Sequence, residues 1–262
     1  MKNQNFRNFV ENLSPDKIWE SLPLVHTTVM KHFESIIDTK ELMPTRCNIL
    51  DRDLLYFFYG KPNYRNQNGS VHSTKIIWFP ICILFNINIL SENKIAHIFP
   101  FDSGAYSSGR YSNIIEGNSD LISYSLPNSL KEVGKFLSYF FENVIDYFNG
   151  DPIKKQIDPF PSQIFDCNNL YNANGDQSFD DRAKSIEISL LKKVILSPNF
   201  IDLVICPRSL RNIMDKAFGD EILIKYYNVK KLANAQDYYS VIDHIAFEYI
   251  DNKYMREPND TK

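Results

Sequence analysis

The sequence predicts an α+β protein, because short apolar strands are spread along the whole chain and helices are fewer. Leu54–Tyr59 and Leu203–Cys206 are apolar runs of strand length. One well-marked helix begins at Ser129, where Ser-Leu-Lys-Glu matches a capping box, and apolar residues follow at helical spacing as far as Phe148. No break in composition divides the 262 residues, so we expect a single domain over 1–262, with 1–20 as an N-terminal extension.

The remaining elements follow from periodicity and from turn residues. Apolar residues on one side predict further helices, in chain order, at Phe6–Leu13, Thr28–Asp38, Ser209–Ala217 and Asp237–Tyr249. Alternating or continuous apolar residues predict further strands at Pro23–His26, within Ile76–Ile89, and at Ile95–Phe99, Lys184–Leu190 and Glu221–Tyr226. Asp151–Arg182 is rich in Pro, Asn and Asp and has little periodicity, which predicts a long loop of the kind that is often functional.

Composition excludes several classes of protein. The net charge of −3 is not the basicity of an obligate nucleic-acid binder, and no Gly-rich dinucleotide or phosphate loop is present. The four cysteines form no CxxC pair and the five histidines show no metal-ligand spacing, so reduced thiols and no metal site are expected. The N-terminus lacks an apolar signal core and Pro80 breaks the longest apolar run, which favours a soluble, cytoplasmic protein without membrane contact.

Glu187 is the most informative residue of the chain. Alternation places Ile186, Ile188 and Leu190 on one face of a strand and Ser185, Glu187 and Ser189 on the other. A carboxylate between small hydroxyl side chains, at the end of a long polar stretch, has open space beside it and fits a cleft. The alternative is a solvent-facing glutamate on an amphipathic strand.

Two other segments have residues suited to binding a nucleotide. His26 lies where a strand meets a helix and can offer a ring nitrogen to a ribose hydroxyl, although a structural histidine is the alternative. The turn after Leu54–Tyr59 carries Tyr59, Lys61, Tyr64 and Arg65, which can stack on a heterocycle or pair with phosphate. The alternative there is an aromatic core strand that ends in a solvated turn. Three further candidate pocket residues are Arg46, Asp102 and Ser103.

The order of these segments resembles the NAD-dependent ADP-ribosyltransferases of the His-Tyr-Glu type. Leu24-Val25-His26-Thr27-Thr28, a helix, and then Leu42-Met43-Pro44 are similar to the opening of the DarT nucleic-acid-modifying toxins. The aromatic strand then enters a turn with Lys61 where those toxins carry arginine, and Arg65 follows. The resemblance spans residues 22 to about 206 and implies an ADP-ribosyltransferase-like split β-sheet core with flanking helices.

The resemblance also implies a chemistry. NAD would bind as a substrate, with its nicotinamide stacked on Tyr59 or Tyr64, its adenosine-side ribose held by His26 and Thr27, and either Lys61 or Arg65 as the key cation. Glu187 would be the catalytic residue that holds the nicotinamide-side ribose. The loop 151–182 would recognise the target, with Tyr171, Gln177 and Arg182 as candidate contacts.

The acceptor that the resemblance favours is a nucleic acid, and a protein side chain is the rival. The same resemblance implies that the protein acts as a bacterial toxin or phage-defence effector, with an antitoxin as a partner. Three alternatives stay open: an NAD glycohydrolase, an RNA 2′-phosphotransferase-like enzyme, for which only Lys61, Arg65 and Arg46 supply obvious positive charge, and a catalytically silent nucleotide-binding module.

Overall fold

The computed structural model describes residues 5–14, 19, 21–63, 73–115, 120–173 and 181–255. The α-helices in these ranges are α1 (Phe6–Glu11), α2 (Met30–Thr39), α3 (Ile89–Glu92), α4 (Ser103–Ser107), α5 (Leu130–Phe140), α6 (Val144–Asn149), α7 (Ser162–Asn172), α8 (Arg211–Phe218) and α9 (Tyr239–Ile250). The strands are β1 (Leu24–Val29), β2 (Glu41–Leu42), β3 (Thr45–Cys47), β4 (Arg52–Tyr59), β5 (Pro80–Phe85), β6 (Ile95–Phe99), β7 (Glu187–Leu190), β8 (Val194–Ile195), β9 (Ile201–Pro207) and β10 (Ile224–Tyr227).

A central mixed sheet with flanking helices forms the core, as the sequence predicts at this coarse level. Across the described ranges its strand order is β10-β9-β5-β1-β4-β7-β6, with β3 paired to β4 and with β2 and β8 forming a separate pair. Neighbouring strands are antiparallel except β9 and β10, which are parallel. All six residues of β5 are buried, because a continuous apolar run suits a strand that is covered on both faces.

β1 and β4 pair over a short distance only. Their register pairs are Leu24 with Tyr59 and Val25 with Phe58. β1 then continues along β5 as far as Val29, whereas β4 continues along β7 and β3. The two strands therefore separate beyond Val25 and Phe58, and this separation creates the space in which the cavity described below lies.

Gly60 controls how the chain leaves β4. Its φ of +74° lies in the left-handed region, and a Cβ there would approach Leu22 Cδ1 to 2.7 Å. The Gly60 N–H donates to the carbonyl of Pro23 at 2.8 Å, which ties this turn to the start of β1. A glycine is therefore required at the point where Lys61–Asn63 follow the strand.

The single helix predicted from Ser129 to Phe148 is wrong, because the segment forms α5 and α6. Phe141 is extended, and the Asn143 side chain accepts a hydrogen bond from the Asp146 N–H at 2.9 Å. Asparagine is a strong N-cap, so it starts a new helix inside an otherwise continuous apolar pattern. Ser129 precedes α5 as predicted but makes no side-chain cap hydrogen bond, so the predicted capping box is also wrong.

The prediction of a long loop over Asp151–Arg182 is wrong as a description of local structure. The segment contains α7, which buries Ile164, Cys167, Leu170 and Tyr171 on one side. These positions have helical spacing, but they are few and lie among Asn and Asp residues, so the pattern was too short to recognise. No helix in the described ranges is both long enough and apolar enough to cross a membrane.

Candidate functional site

A cavity of about 530 Å³ lies where β1 and β4 separate. Its wall combines β1, α2, the region of β2 and β3, and β4, with apolar residues such as Leu54 and Phe58. Its polar lining consists of His26, Thr27, Thr28, His32, Ser35, Thr39, Glu41, Thr45, Tyr56 and Asn63. Among the described lining residues there is no lysine or arginine, so the wall offers hydroxyls, imidazoles, one amide and the Glu41 carboxyl group.

His26 bridges the two separating strands. Its Nδ1 lies 2.9 Å from the carbonyl oxygen of Tyr56, and its ring centroid lies 5.7 Å from that of Phe57. Because a carbonyl oxygen only accepts, Nδ1 carries the proton in this contact. In the neutral ring Nε2 is then an acceptor, which suits a hydroxyl donor such as a ribose.

Thr27, the second predicted cofactor contact, also lines the cavity. It lies opposite Cys82 in the β1–β5 register. Burial raises the pKa of the Cys82 thiol far above its ordinary value. His26 and Thr27 therefore both line the cavity, and their predicted contacts with NAD stay predictions.

Glu187 lies on β7, between β4 and β6, where it is opposite Phe58 on one side and Phe99 on the other. Its side chain is 0% exposed, and Oε1 accepts a hydrogen bond from Ser103 Oγ at 2.6 Å. The carboxylate is therefore neither solvent-facing nor beside open space, because Ser103 packs directly on it. It does not line the cavity, and its catalytic role stays a prediction.

A buried polar group surrounds this carboxylate, which we call the Glu187 cluster (Asp102, Ser103, Arg182 and Glu187). Asp102 is the N-cap of α4, since its Oδ1 accepts from the Ala105 N–H at 2.7 Å. The Asp102 N–H donates to the Arg182 carbonyl at 3.1 Å, and the Arg182 guanidinium lies 4.0 Å from Asp102 Oδ2. The structure thus groups two candidate pocket residues and one candidate target contact with Glu187, in the interior.

Tyr59 and Lys61 occupy the core in this structure. The Tyr59 hydroxyl donates to the Trp19 carbonyl, and the Tyr147 hydroxyl donates to the Tyr59 carbonyl at 2.7 Å. Lys61 is 1% exposed, and its Nζ donates to the carbonyls of Tyr147 at 2.9 Å and Phe148 at 3.5 Å. Neither residue lines the cavity, and their predicted contacts with a cofactor stay predictions.

The other predicted contacts are scattered. Arg46 is exposed on β3 and pairs with Asp51. Tyr171 is buried, donates its hydroxyl to the Pro100 carbonyl at 2.6 Å and packs 5.0 Å from the Phe140 ring. Three further predicted contacts lie outside the described residues: Tyr64, Arg65 and Gln177.

Strand register groups polar residues that the sequence analysis did not propose as site residues. Tyr56 on β4, Ser189 on β7 and His97 on β6 form one row across the sheet, two residues along each strand from the row that contains Glu187. Burial lowers the pKa of His97, helped by the positive charges of Arg52 and Arg7, so its ring favours the neutral form. Alternation along β4 groups Tyr56 with Phe58, but the sequence gives no register between strands. Asn63 was missed because it lies in a turn without periodicity.

No group of three or more His, Cys, Asp or Glu side chains that could hold a metal ion occurs in the described part of the chain. The described cysteines, Cys47, Cys82, Cys167 and Cys206, are free and buried.

Comparisons with known proteins give a weak structural similarity. No protein-family model matches the chain, and no curated protein matches it. The solved structure of Thermus sp. 2.9 DarT in complex with NAD+ aligns with 82% of this chain and 100% of its own, at 9% identity and a TM-score of 0.40. This chain is thus weakly similar to a DarT. Values this low transfer no residue and no role.

Proposed function

We propose that this protein is an NAD-dependent ADP-ribosyltransferase whose NAD site is the cavity between β1 and β4. The observation that carries the proposal is this cavity, with His26 in its wall and Glu187 one strand away across β4. Its volume of about 530 Å³ suits a small-molecule site. The separating strands are what a split-sheet core of this enzyme class requires, and the order of His26 and Glu187 in the chain fits the resemblance seen in the sequence.

The proposed reaction is glycosyl transfer. The bond between C1′ of the ribose and the nicotinamide nitrogen breaks, and nicotinamide leaves with the bonding electron pair. Positive charge develops on the ribose, and the Glu187 carboxylate has the sign to stabilise it. To do so, the side chain must turn from Ser103 toward the cavity, on the side of β4 where Phe58 lies.

The acceptor completes the reaction. Its nucleophilic atom bonds to the same C1′ carbon and releases a proton, which a carboxylate can accept with a benefit on the order of 10²- to 10⁴-fold. His26 and Thr27 hold the adenosine-side ribose in this proposal. Tyr56, rather than the buried Tyr59, offers an aromatic face in the cavity wall.

The acceptor and the biological role rest on the resemblance alone. We propose a nucleic-acid base as the acceptor, with a protein side chain as the alternative. The proposed role is that of a cytoplasmic toxin or phage-defence effector that an antitoxin restrains. The region 151–182, which includes α7, is the proposed target-recognition segment of the single domain.

The test is incubation of the purified protein with NAD labelled in its adenylate group and with separate pools of DNA, RNA and cell protein. We expect the label in one macromolecular pool, with nicotinamide released in equal amount. Glu187→Gln should lower transfer by at least about 100-fold, since the charge that stabilises the transition state is removed. Glu92→Gln, an exposed glutamate on α3, is the matched control and should transfer at the wild-type rate.

Each outcome has a distinct meaning. Free ADP-ribose without a labelled macromolecule would show an NAD glycohydrolase. Transfer by Glu187→Gln at the wild-type rate would contradict the catalytic assignment. Absence of both nicotinamide release and NAD binding would contradict the proposed function.

A further inference from the structure

Asn63 has a buried amide nitrogen that makes no hydrogen bond within the described part of the chain. The residue is 5% exposed and lines the cavity between β1 and β4. Its Nδ2 is buried and has no hydrogen-bond partner among the described residues. Buried polar atoms almost always have a partner, so an exception facing a cavity indicates a group that a ligand completes.

The position of Asn63 in the chain indicates which part of a bound ligand it contacts. Asn63 follows the end of β4 after the turn at Gly60, and it is at this end that Phe58 pairs with Glu187. Thr39 at the end of α2 and Glu41 in β2 also line the cavity. Asn63 thus follows the end of β4 at which the neighbouring strand carries Glu187, the carboxylate proposed to act where the bond to nicotinamide would break.

The residues of the cavity wall further limit the chemical class of this ligand group. Leu54, Tyr56 and Phe58 supply apolar and aromatic surface, and the described lining residues include no lysine or arginine. This apolar and aromatic part of the wall suits an uncharged planar substituent. An amide N–H needs an acceptor, and the carboxamide oxygen of nicotinamide is an uncharged acceptor on a planar ring.

We propose that Asn63 determines specificity for the nicotinamide group of NAD, with Nδ2 donating to the carboxamide oxygen. This inference rests on the proposed function, because it assumes that NAD occupies the cavity. It assigns to Asn63 a role in binding only, with no part in bond breaking.

The test compares ligands that differ at that one group. Dissociation constants are measured by calorimetry for NAD, for its thionicotinamide analogue, whose sulfur accepts hydrogen bonds poorly, and for ADP-ribose, which lacks nicotinamide. Wild-type protein should bind NAD about 10-fold more tightly than Asn63→Leu does, and should bind NAD more tightly than the thio analogue. Asn63→Leu should bind ADP-ribose as the wild type does and should not distinguish NAD from the thio analogue.

Two further variants keep the test decisive. Asn128→Leu removes an amide that donates to the carbonyls of Ile95 and Ala96, away from the cavity lining, and should leave all three constants unchanged. Asn63→Asp keeps the shape and removes the donor, so it should also lose affinity for NAD. The melting temperature of ligand-free Asn63→Leu should equal or exceed that of the wild type, because an unpaired buried donor is removed.

The test distinguishes failure of the Asn63 inference from failure of the proposed function. Equal NAD affinity in wild type and Asn63→Leu would overturn the inference while leaving the proposed function intact. An equal loss of affinity for NAD and ADP-ribose would place Asn63 at the adenosine end and overturn the carboxamide assignment. Binding of neither NAD nor ADP-ribose by the wild type would overturn the proposed function itself.

Discussion

The Ser103 hydroxyl donates a buried hydrogen bond to the Glu187 side chain, with 2.6 Å between Oγ and Oε1. The oxygens of a buried carboxyl group need hydrogen-bond partners, because an unpaired buried polar atom is unfavourable. Ser103 supplies one of them from the first turn of α4, whose N-cap is Asp102. The same contact that stabilises the fold therefore holds Glu187 away from the cavity.

Ser103→Ala should lower the free energy of unfolding by about 1–3 kcal/mol, because a buried carboxyl oxygen loses its hydroxyl donor. Urea unfolding followed by circular dichroism measures this. Ser112→Ala is the matched control, since the Ser112 hydroxyl donates to the Gly109 carbonyl in an exposed turn, and it should change stability by less than about 0.5 kcal/mol. Equal effects of the two substitutions would show that Ser103 contributes nothing to holding Glu187.

At the scale of the element, Lys61 fixes the end of α6. The last carbonyls of a helix have no partner inside the helix and attract positive charge. Lys61 Nζ donates to two of them, those of Tyr147 and Phe148, and lies 4.7 Å from the centre of the Tyr147 ring. The turn after β4 and the helix α6 are therefore joined by a buried lysine.

Lys61→Met should reduce the free energy of unfolding by about 1.5–3 kcal/mol, the range for hydrogen bonds made by charged groups. Thermal and urea unfolding measure the loss, with Lys131→Met, an exposed lysine on α5, as the control that should change little. The alternative role, contact with the cofactor, predicts a different result. In that case Lys61→Met would keep its stability and lose affinity for NAD.

Most helices and strands could be predicted from the local sequence pattern, and the two wrong predictions have a cause that can be named. β1, β4, β6 and β9 were predicted because apolar strands have a clear period. The joined helix α5–α6 failed at Asn143, where one capping side chain outweighs a continuous apolar stripe. α7 failed because its apolar side is short and polar residues surround it, so burial by the rest of the molecule decides its structure.

At the scale of the whole molecule, Phe57 links the cavity wall to the sheet core. It is 0% exposed, and its ring packs edge-to-face with Phe85 of β5 at 5.7 Å and next to His26 at the same distance. β4 and β5 are not neighbours in the sheet, because β1 lies between them. Phe57 therefore packs across β1, close to the place where β1 and β4 separate.

Phe57→Ala should reduce the free energy of unfolding by about 3–5 kcal/mol, since it removes a large buried ring and leaves a cavity. Phe160→Ala makes the same change at a side chain that is 82% exposed, and it should stay within about 0.5 kcal/mol of the wild type. Urea unfolding with two optical probes measures both variants. A small effect at Phe57 would contradict the packing that supports the cavity wall.

The sequence by itself determined the α+β class, the order of most strands and helices, and two residues of the cavity wall, His26 and Thr27. Local periodicity and turn chemistry suffice for the elements and for the position of His26, because they depend on neighbours in the chain, whereas Thr27 follows from the family resemblance. Only the tertiary structure decided that Glu187 is buried against Ser103, that Tyr59 and Lys61 lie in the core, and that Asn63 faces a cavity. Each depends on strand register and on contacts between distant segments, and a one-dimensional pattern does not contain them.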